Sequence, residues 1–205
     1  PGQVVIDNKA LTLVGPATPD AKPVATVSGG GLLVRNLAAG RHVVLQNLEF
    51  VGTPSASGSD STAGLTLRDN VTHVRVQECV LRGGGGSDNE FIVGGAGLDA
   101  DQSASVAVVR SELFGGPGQF SASVAVHCGF GGAGVRQTGG QLALIDCDIW
   151  GGEGGSNSVG AYPFAGDGGH GIHVTDVDLW LVGTRSRAGD GGDAHVGGDG
   201  GHGLL

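Results

Sequence analysis

Residues 64–84 read GLTLRDNVTHVRVQECVLRGG. A glycine and an aliphatic residue open a short alternating run, a second apolar run follows, and glycines close the round. The same order recurs along the chain, with openings at Gly31-Leu32, Gly64-Leu65, Gly97-Leu98, Gly134-Val135 and Gly171-Ile172, and a sixth begins at Gly203-Leu204. The steps between openings are 33, 33, 37, 37 and 32 residues. A repeat of this length cannot bury its own apolar side and must stack on its neighbours to make a continuous core. The sequence therefore predicts an all-β solenoid of about five coils, read as a single domain over residues 1–205.

Working outward from the repeat, 43 glycines and 7 prolines bring the chain close to low-complexity composition. Phasing argues for order. The glycines fall at fixed offsets from β-rich runs such as VVLQNLEF, VRVQECVL, VAVVRSELF and LALIDCDIW, which supply the apolar surface that a disordered segment lacks. A formal charge of -9 with only 11 Lys plus Arg excludes a phosphate-backbone partner, which needs a basic track. No apolar run approaches the ~20 residues of a membrane-spanning helix, and no signal-peptide pattern is present. The start at Pro1 rather than Met, and an end just inside a new round, suggest a domain truncated at one or both ends.

Aligning the second runs on Val43, Val74, Val106, Leu142 and Leu179 places Leu48, Cys79, Ser111, Cys147 and Thr184 in one equivalent, inward-looking slot. Coils lie ~4.8 Å apart, so Cys79 and Cys147, two rounds apart, are expected ~10 Å from each other. That is beyond the ~7 Å limit for a disulfide, and the pair is expected reduced. Cys128, beside His127, reads as a third structural thiol.

The pattern GLTLRDNVTHVRVQECVLRGG, with a Cys or Ser before the next turn, resembles the right-handed parallel β-helix repeat of the pectate-lyase-like superfamily, and the opening VVIDNKALTLVG resembles the first coil of those proteins. The resemblance covers nearly the whole chain and implies a fold and an extracellular or cell-surface setting. That superfamily contains lyases, hydrolases, esterases, tailspikes and adhesins, so it does not fix an activity. Long Gly-rich loops follow each round on one side and carry Phe91, Phe120, Phe130, Tyr162 and Phe164.

The runs VAVV, LALI and LWLV are apolar on both faces. The outward set, Ala107, Val109, Ala143, Ile145, Trp180 and Val182, calls for a cover over rounds three to five, either loops folding back or a second subunit. The first runs differ, because alternate residues there are polar. They predict one stacked outward column of Thr66, Asp99, Arg136 and His173 beside another of Arg35, Arg68, Asp101, Thr138 and Thr175.

Asp99 and Asp101, at i and i+2 on one face, are expected ~6.5 Å apart, near the carboxylate separation of inverting glycosidases. In the catalytic reading Asp99 and Asp101 serve as acid and base with Arg136 and His173 beside them. Arg68, Tyr162 and Phe164 then hold a polysaccharide. In the alternative reading the arginines and aspartates form a neutralising ladder on a solvated sheet. GGHGIHV around His170 resembles the Gly-His-Gly element of polygalacturonases, but the other elements of that family's site are absent, and the slot holds Ala63, Ala96, Ala133 and His202 in other rounds.

AGDGGHGIH, AGDGGDAHV and GGDGGHGLL echo a calcium-binding nonapeptide, with only Asp193 at the sixth, ligand-bearing position. Stacking in register would bring Asp167 to Asp199 and His170 to His202, a donor set suited to a transition metal. Glycine turns with solvated polar tips explain the same residues. The leading functional expectation is a non-catalytic extracellular or cell-surface β-helix module that serves as scaffold or binds a polysaccharide or surface glycan. The alternatives are a polysaccharide lyase or hydrolase acting on an acidic polysaccharide, and a self-assembling repeat that forms a homo-oligomer through its apolar outer face.

Overall fold

The structure, a computed structural model, describes residues 3–16, 26–28, 30–54, 61–86, 92–119, 128–156, 165–193 and 197–205. Each round contains three strands. The first is β1 (Val4–Asp7), β2 (Leu11–Val14) and β3 (Thr26–Ser28); the second is β4 (Leu32–Arg35), β5 (Val43–Gln46) and β6 (Glu49–Val51). Then come β7 (Leu65–Arg68), β8 (His73–Gln77) and β9 (Val80–Arg82), followed by β10 (Leu98–Asp101), β11 (Ser105–Val109) and β12 (Glu112–Phe114). The last two rounds are β13 (Val135–Thr138), β14 (Gln141–Ile145) and β15 (Asp148–Trp150), then β16 (Ile172–Thr175), β17 (Asp178–Val182) and β18 (Arg185–Arg187). Corresponding strands pair in parallel into three 6-stranded sheets, a parallel β-solenoid. Leu204 bridges Ile172, continuing the stack.

The third strand is the element the sequence hides. VVLQNLEF contains two strands, and the chain turns between them at Asn47 without a glycine. The left-handed conformation repeats at this corner in Asn47 (φ 60), Glu78 (φ 54), Arg110 (φ 46), Asp146 (φ 51) and Gly183 (φ 60). A second column turns the first strand into the second at Asn8, Asn36, Asp69, Gln102 and Asp176. Asn and Asp tolerate this conformation. Glu78 and Arg110 do so less readily, and Arg110 Nη2 meets Glu78 Oε1 at 2.6 Å across the coils.

The core is the stacked interior. Leu32, Leu65, Leu98, Val135 and Ile172 form one fully buried column, in register. The slot predicted for the cysteines is also interior: Cys79, Ser111 and Cys147 are buried, and none of the three cysteines is in a disulfide. Ser111 Oγ accepts the Cys79 N–H at 3.1 Å and Thr184 Oγ1 accepts that of Cys147 at 3.3 Å. Hydroxyls in that column thus serve corner amides that the strands leave unpaired. Buried Asn70 does similar work at the other corner, accepting from Leu37 N–H and donating to Val34 C=O.

Between the third sheet and the first, each loop runs out and back as an extended pair. A hydrogen-bond ladder climbs through these segments: Gly95 N–H donates to Gly84 C=O, Gly116 to Gly95, Gly132 to Gly116, Gly152 to Gly132, Gly169 to Gly152, Gly189 to Gly169 and Gly201 to Gly189, at 2.7–3.1 Å. A second ladder runs three residues away, through Gly129, Gly155, Gly166, Gly192 and Gly198. Three residues is the period of the polyproline II helix, whose backbone makes no internal hydrogen bonds and must pair sideways. The loops therefore form two layers, outgoing segments such as 151–155 and returning segments such as 166–171. On the outer face of the second sheet Trp180 is 51% and Val182 58% exposed, while Ala107, Val109, Ala143 and Ile145 are half-buried.

Candidate binding groove

The returning segments share the pattern G-x-G-G-x-G, as in GFGGAG (129–134), GDGGHG (166–171) and GDGGHG (198–203). One glycine of each triplet donates to the opposite layer: Gly169 N–H bonds Gly152. Another donates within its own layer, as Gly168 does to Asp199 C=O. The third residue faces out. A Cβ on the packed positions would lie 2.0 Å from Gly132 O at Gly169 and 2.0 Å from Gly189 O at Gly168, so only the x positions can carry side chains.

Those x positions continue the outward column of the first sheet at the same spacing. Phe130, Ala133 and Arg136 form one row, and Asp167, His170 and His173 form the next; Asp199 and His202 begin a third. Along the coil axis Thr66, Asp99, Arg136 and His173 stand in register, as predicted, as do Arg35, Arg68, Asp101, Thr138 and Thr175. The rows from Phe130 to Arg136 and from Asp167 to His173, with Asp199 and His202, line a groove of about 450 Å³.

Behind Arg136, outside the lining of the groove, Asp99 is buried and both its oxygens are engaged. Arg68 Nη2 meets Oδ2 at 2.5 Å and Arg136 Nε meets Oδ1 at 2.9 Å. Burial pushes this carboxyl up, but the Arg136 and then the Arg68 guanidinium outweigh it and hold Asp99 below the ordinary carboxylate range. The Arg–Asp–Arg ladder is therefore present. Asp99 holds Arg136 at the rim of the groove and has the opposite of the raised pKa that a general acid needs. Asp101 lies in the neighbouring column between Arg68 and Thr138, half-buried.

Within the lining the coils bring together the donor pairs expected from the nonapeptides. Asp167 Oδ1 accepts the Asp199 N–H at 2.9 Å, and His170 Nδ1 accepts the His202 N–H at 3.0 Å. The His170 and His202 rings stack at 5.4 Å, and His173 meets His170 edge-on at 5.2 Å. Accepting at Nδ1 fixes neutral His170 as the Nε2–H tautomer. Burial, then the neighbouring His173 and His202, lower its pKa. His170 Nδ1 and one Asp167 oxygen are engaged by backbone, and among the described residues no three His, Cys, Asp or Glu side chains are placed to hold a metal ion.

Arg136 and His173 of the catalytic set and the metal candidates Asp167, His170, Asp199 and His202, which read as two separate sets in the sequence, thus line one groove with Phe130 (40% exposed), whereas Asp99, Asp101 and Arg68 do not line it. The three-residue period linking Phe130 to Arg136 and Asp167 to His173 is the signal that would have joined the two sets. Tyr162 and Phe164, the expected sugar-stacking residues, lie outside the described residues, as do Phe91 and Phe120.

No family model matches the chain, and no curated protein matches it. Among solved structures it is similar to the nine polyproline type II helical bundle antifreeze protein of the springtail Granisotoma rainieri, at 16% identity over 75% of this chain and 90% of that one. The TM-score is 0.29, a superposition too loose to carry an inference about this chain. Among the described residues no helix is long and apolar enough to cross a membrane.

Proposed function

We propose that the chain is a non-catalytic β-helix module that binds a carbohydrate in the groove between the first sheet and the glycine layers. The observation that carries this reading is Asp99, whose two oxygens are both held by arginines. The buried carboxylate behind Arg136 is thereby a scaffold for that rim residue instead of a proton donor. What remains at the surface is a recognition set. Phe130 offers an apolar ring to a sugar face, while Arg136, His173, His202, Asp167 and Asp199 offer donors and acceptors to hydroxyl or carboxylate groups. Membership of the pectate-lyase-like superfamily is part of the proposal, supported by three parallel sheets, left-handed Asn and Asp corners and a column of Cys and Ser in the interior. An extracellular or cell-surface setting follows from that membership.

The test is a titration of the chain against a panel of acidic and neutral oligosaccharides, followed by heat of binding and by release of reducing or unsaturated ends. Binding without turnover, weakened ~10-fold or more by Phe130→Ala, is the expected result. Turnover that disappears in Asp99→Ala would replace the module by an enzyme. Binding to no member of the panel would remove the carbohydrate.

A further inference from the structure

The outer face of the second sheet has a pattern that its apolarity alone does not explain. Register along the coil axis puts Arg75, Ala107, Ala143 and Trp180 in one column. The flanking columns are His73, Ser105, Gln141 and Asp178 on one side and Gln77, Val109, Ile145 and Val182 on the other. Within β8, β11, β14 and β17 the first two columns run between groups that complement each other, with small or polar residues between, and the third runs from Gln77 to Val182. A half-turn about an axis parallel to the strands, passing between β11 and β14, maps each column onto its own reverse. Arg75 then faces Trp180 of the second copy, and His73 faces Asp178. Ala107 faces Ala143, and Val109 faces Ile145.

We propose that this face docks on a second copy of the chain across a two-fold axis, with coil axes antiparallel. The same patch serves both copies, as a closed two-fold contact requires. The guanidinium of Arg75 meets the exposed indole of Trp180, a cation–π pair made twice, and the imidazole of His73 meets the Asp178 carboxylate, also twice. The small Ala107 and Ala143 let two flat sheets approach at the axis. The opposite arrangement, with coil axes parallel, would set Arg75 on Arg75 and Trp180 on Trp180 and would put His73 on Gln77 and Asp178 on Val182, so the charges choose the orientation. Four strands at ~4.8 Å and five residues at ~3.3 Å give a patch of ~19 by ~17 Å, near 320 Å² for each copy and below the ~800 Å² of a standard interface. The dimer is accordingly concentration-dependent.

Sedimentation equilibrium of the full chain, from ~1 μM to ~1 mM, tests this. The expected result is association that stops at two copies. Trp180→Asp and, separately, His73→Asp should each weaken it by at least ~10-fold, the second by setting like charges together. The double variant His73→Asp with Asp178→Lys restores opposite charges and should recover wild-type association. Four results would each overturn the proposal: a monomer throughout the range, association that continues past two copies, a dimer indifferent to Trp180→Asp, or a double variant no better than His73→Asp alone.

Discussion

Replacing Gly152 by alanine adds one methyl group to a loop, yet the structure makes it among the more damaging changes available. The new Cβ would lie 2.0 Å from Gly116 O and 2.6 Å from Gly116 C, where ordinary contact begins at 3.4 Å. Both neighbours are backbone, so no side chain can swing aside, and the outgoing segments must part. Gly152 also donates to Gly132 at 2.8 Å and accepts from Gly169 at 2.7 Å, so parting the segments strains two rungs of the ladder. Overpacking of this kind costs ~1–3 kcal/mol, and each rung contributes ~1 kcal/mol net. Against this stands a gain of ~0.4–1 kcal/mol from the stiffer unfolded chain. The balance is a loss of ~2–4 kcal/mol, which for a domain of this size lowers Tm by ~5–15 °C. The control is Gly200→Ala in the same kind of loop, where the nearest atom is Gly189 O at 3.8 Å. Its Tm should stay within ~2 °C of wild type. Thermal unfolding followed by circular dichroism reads both. Equal melting temperatures for the two variants would refute the account of the loops as packed layers.

Two further outcomes follow from buried groups. Asp99 has a folded pKa below its unfolded one, so the unfolded chain binds more protons, and the stability the carboxylate contributes is complete above about pH 4 and lost as pH falls through the folded pKa. Asp99→Asn should cost ~2–3 kcal/mol at neutral pH, less than a fully buried pair because the arginines are partly solvated, and the gap to wild type should narrow as both are acidified. A pH-independent gap in denaturant titrations would contradict this. The Cys79 and Cys147 thiols are pushed up by burial, and Cys128 is buried too. A thiol reagent should leave all three untouched in the folded chain and label 3 on unfolding, with Tm indifferent to reductant; rapid labelling of native protein would show an open route to the core.

The coils were legible because their signal is strong and local. Gly-Leu openings and apolar runs fixed the first two strands of every round, the register of Asp99 on Arg136, and the burial of Cys79 and Cys147. The third strand was not legible, because the corner residues Glu78 and Arg110 are poor markers of a left-handed turn, and the runs read through them without a break. The candidate site was legible only in pieces. Arg136 and His173 belong to a period of two, whereas Phe130 and His170 belong to a period of three. A search for either period alone splits the groove at the strand boundary.

The two periods meet because they share one spacing. Parallel coils advance ~4.8 Å per round, and whatever follows each round must stack at that distance or leave the solenoid. A loop with side chains can obey only by keeping them outside, and an extended segment with three residues per turn has two of its three sides facing other segments. Both inward sides must then be glycine, which yields G-x-G-G-x-G and accounts for most of the 43 glycines. The buried exception has a cost. Gln119 occupies the position held by Gly155 and Gly192 in later rounds, and its side-chain amide is fully buried with neither polar atom partnered among the described residues. The same constraint leaves the x positions as the sole place for chemistry, one residue in three, presented at the strand spacing on a backbone that is hydrogen-bonded on both sides. The composition that looks like disorder is therefore what an ordered groove requires here, and the recognition set proposed for it sits on outward rows that cross from the glycine layers onto the first sheet, Phe130 to Arg136 and Asp167 to His173.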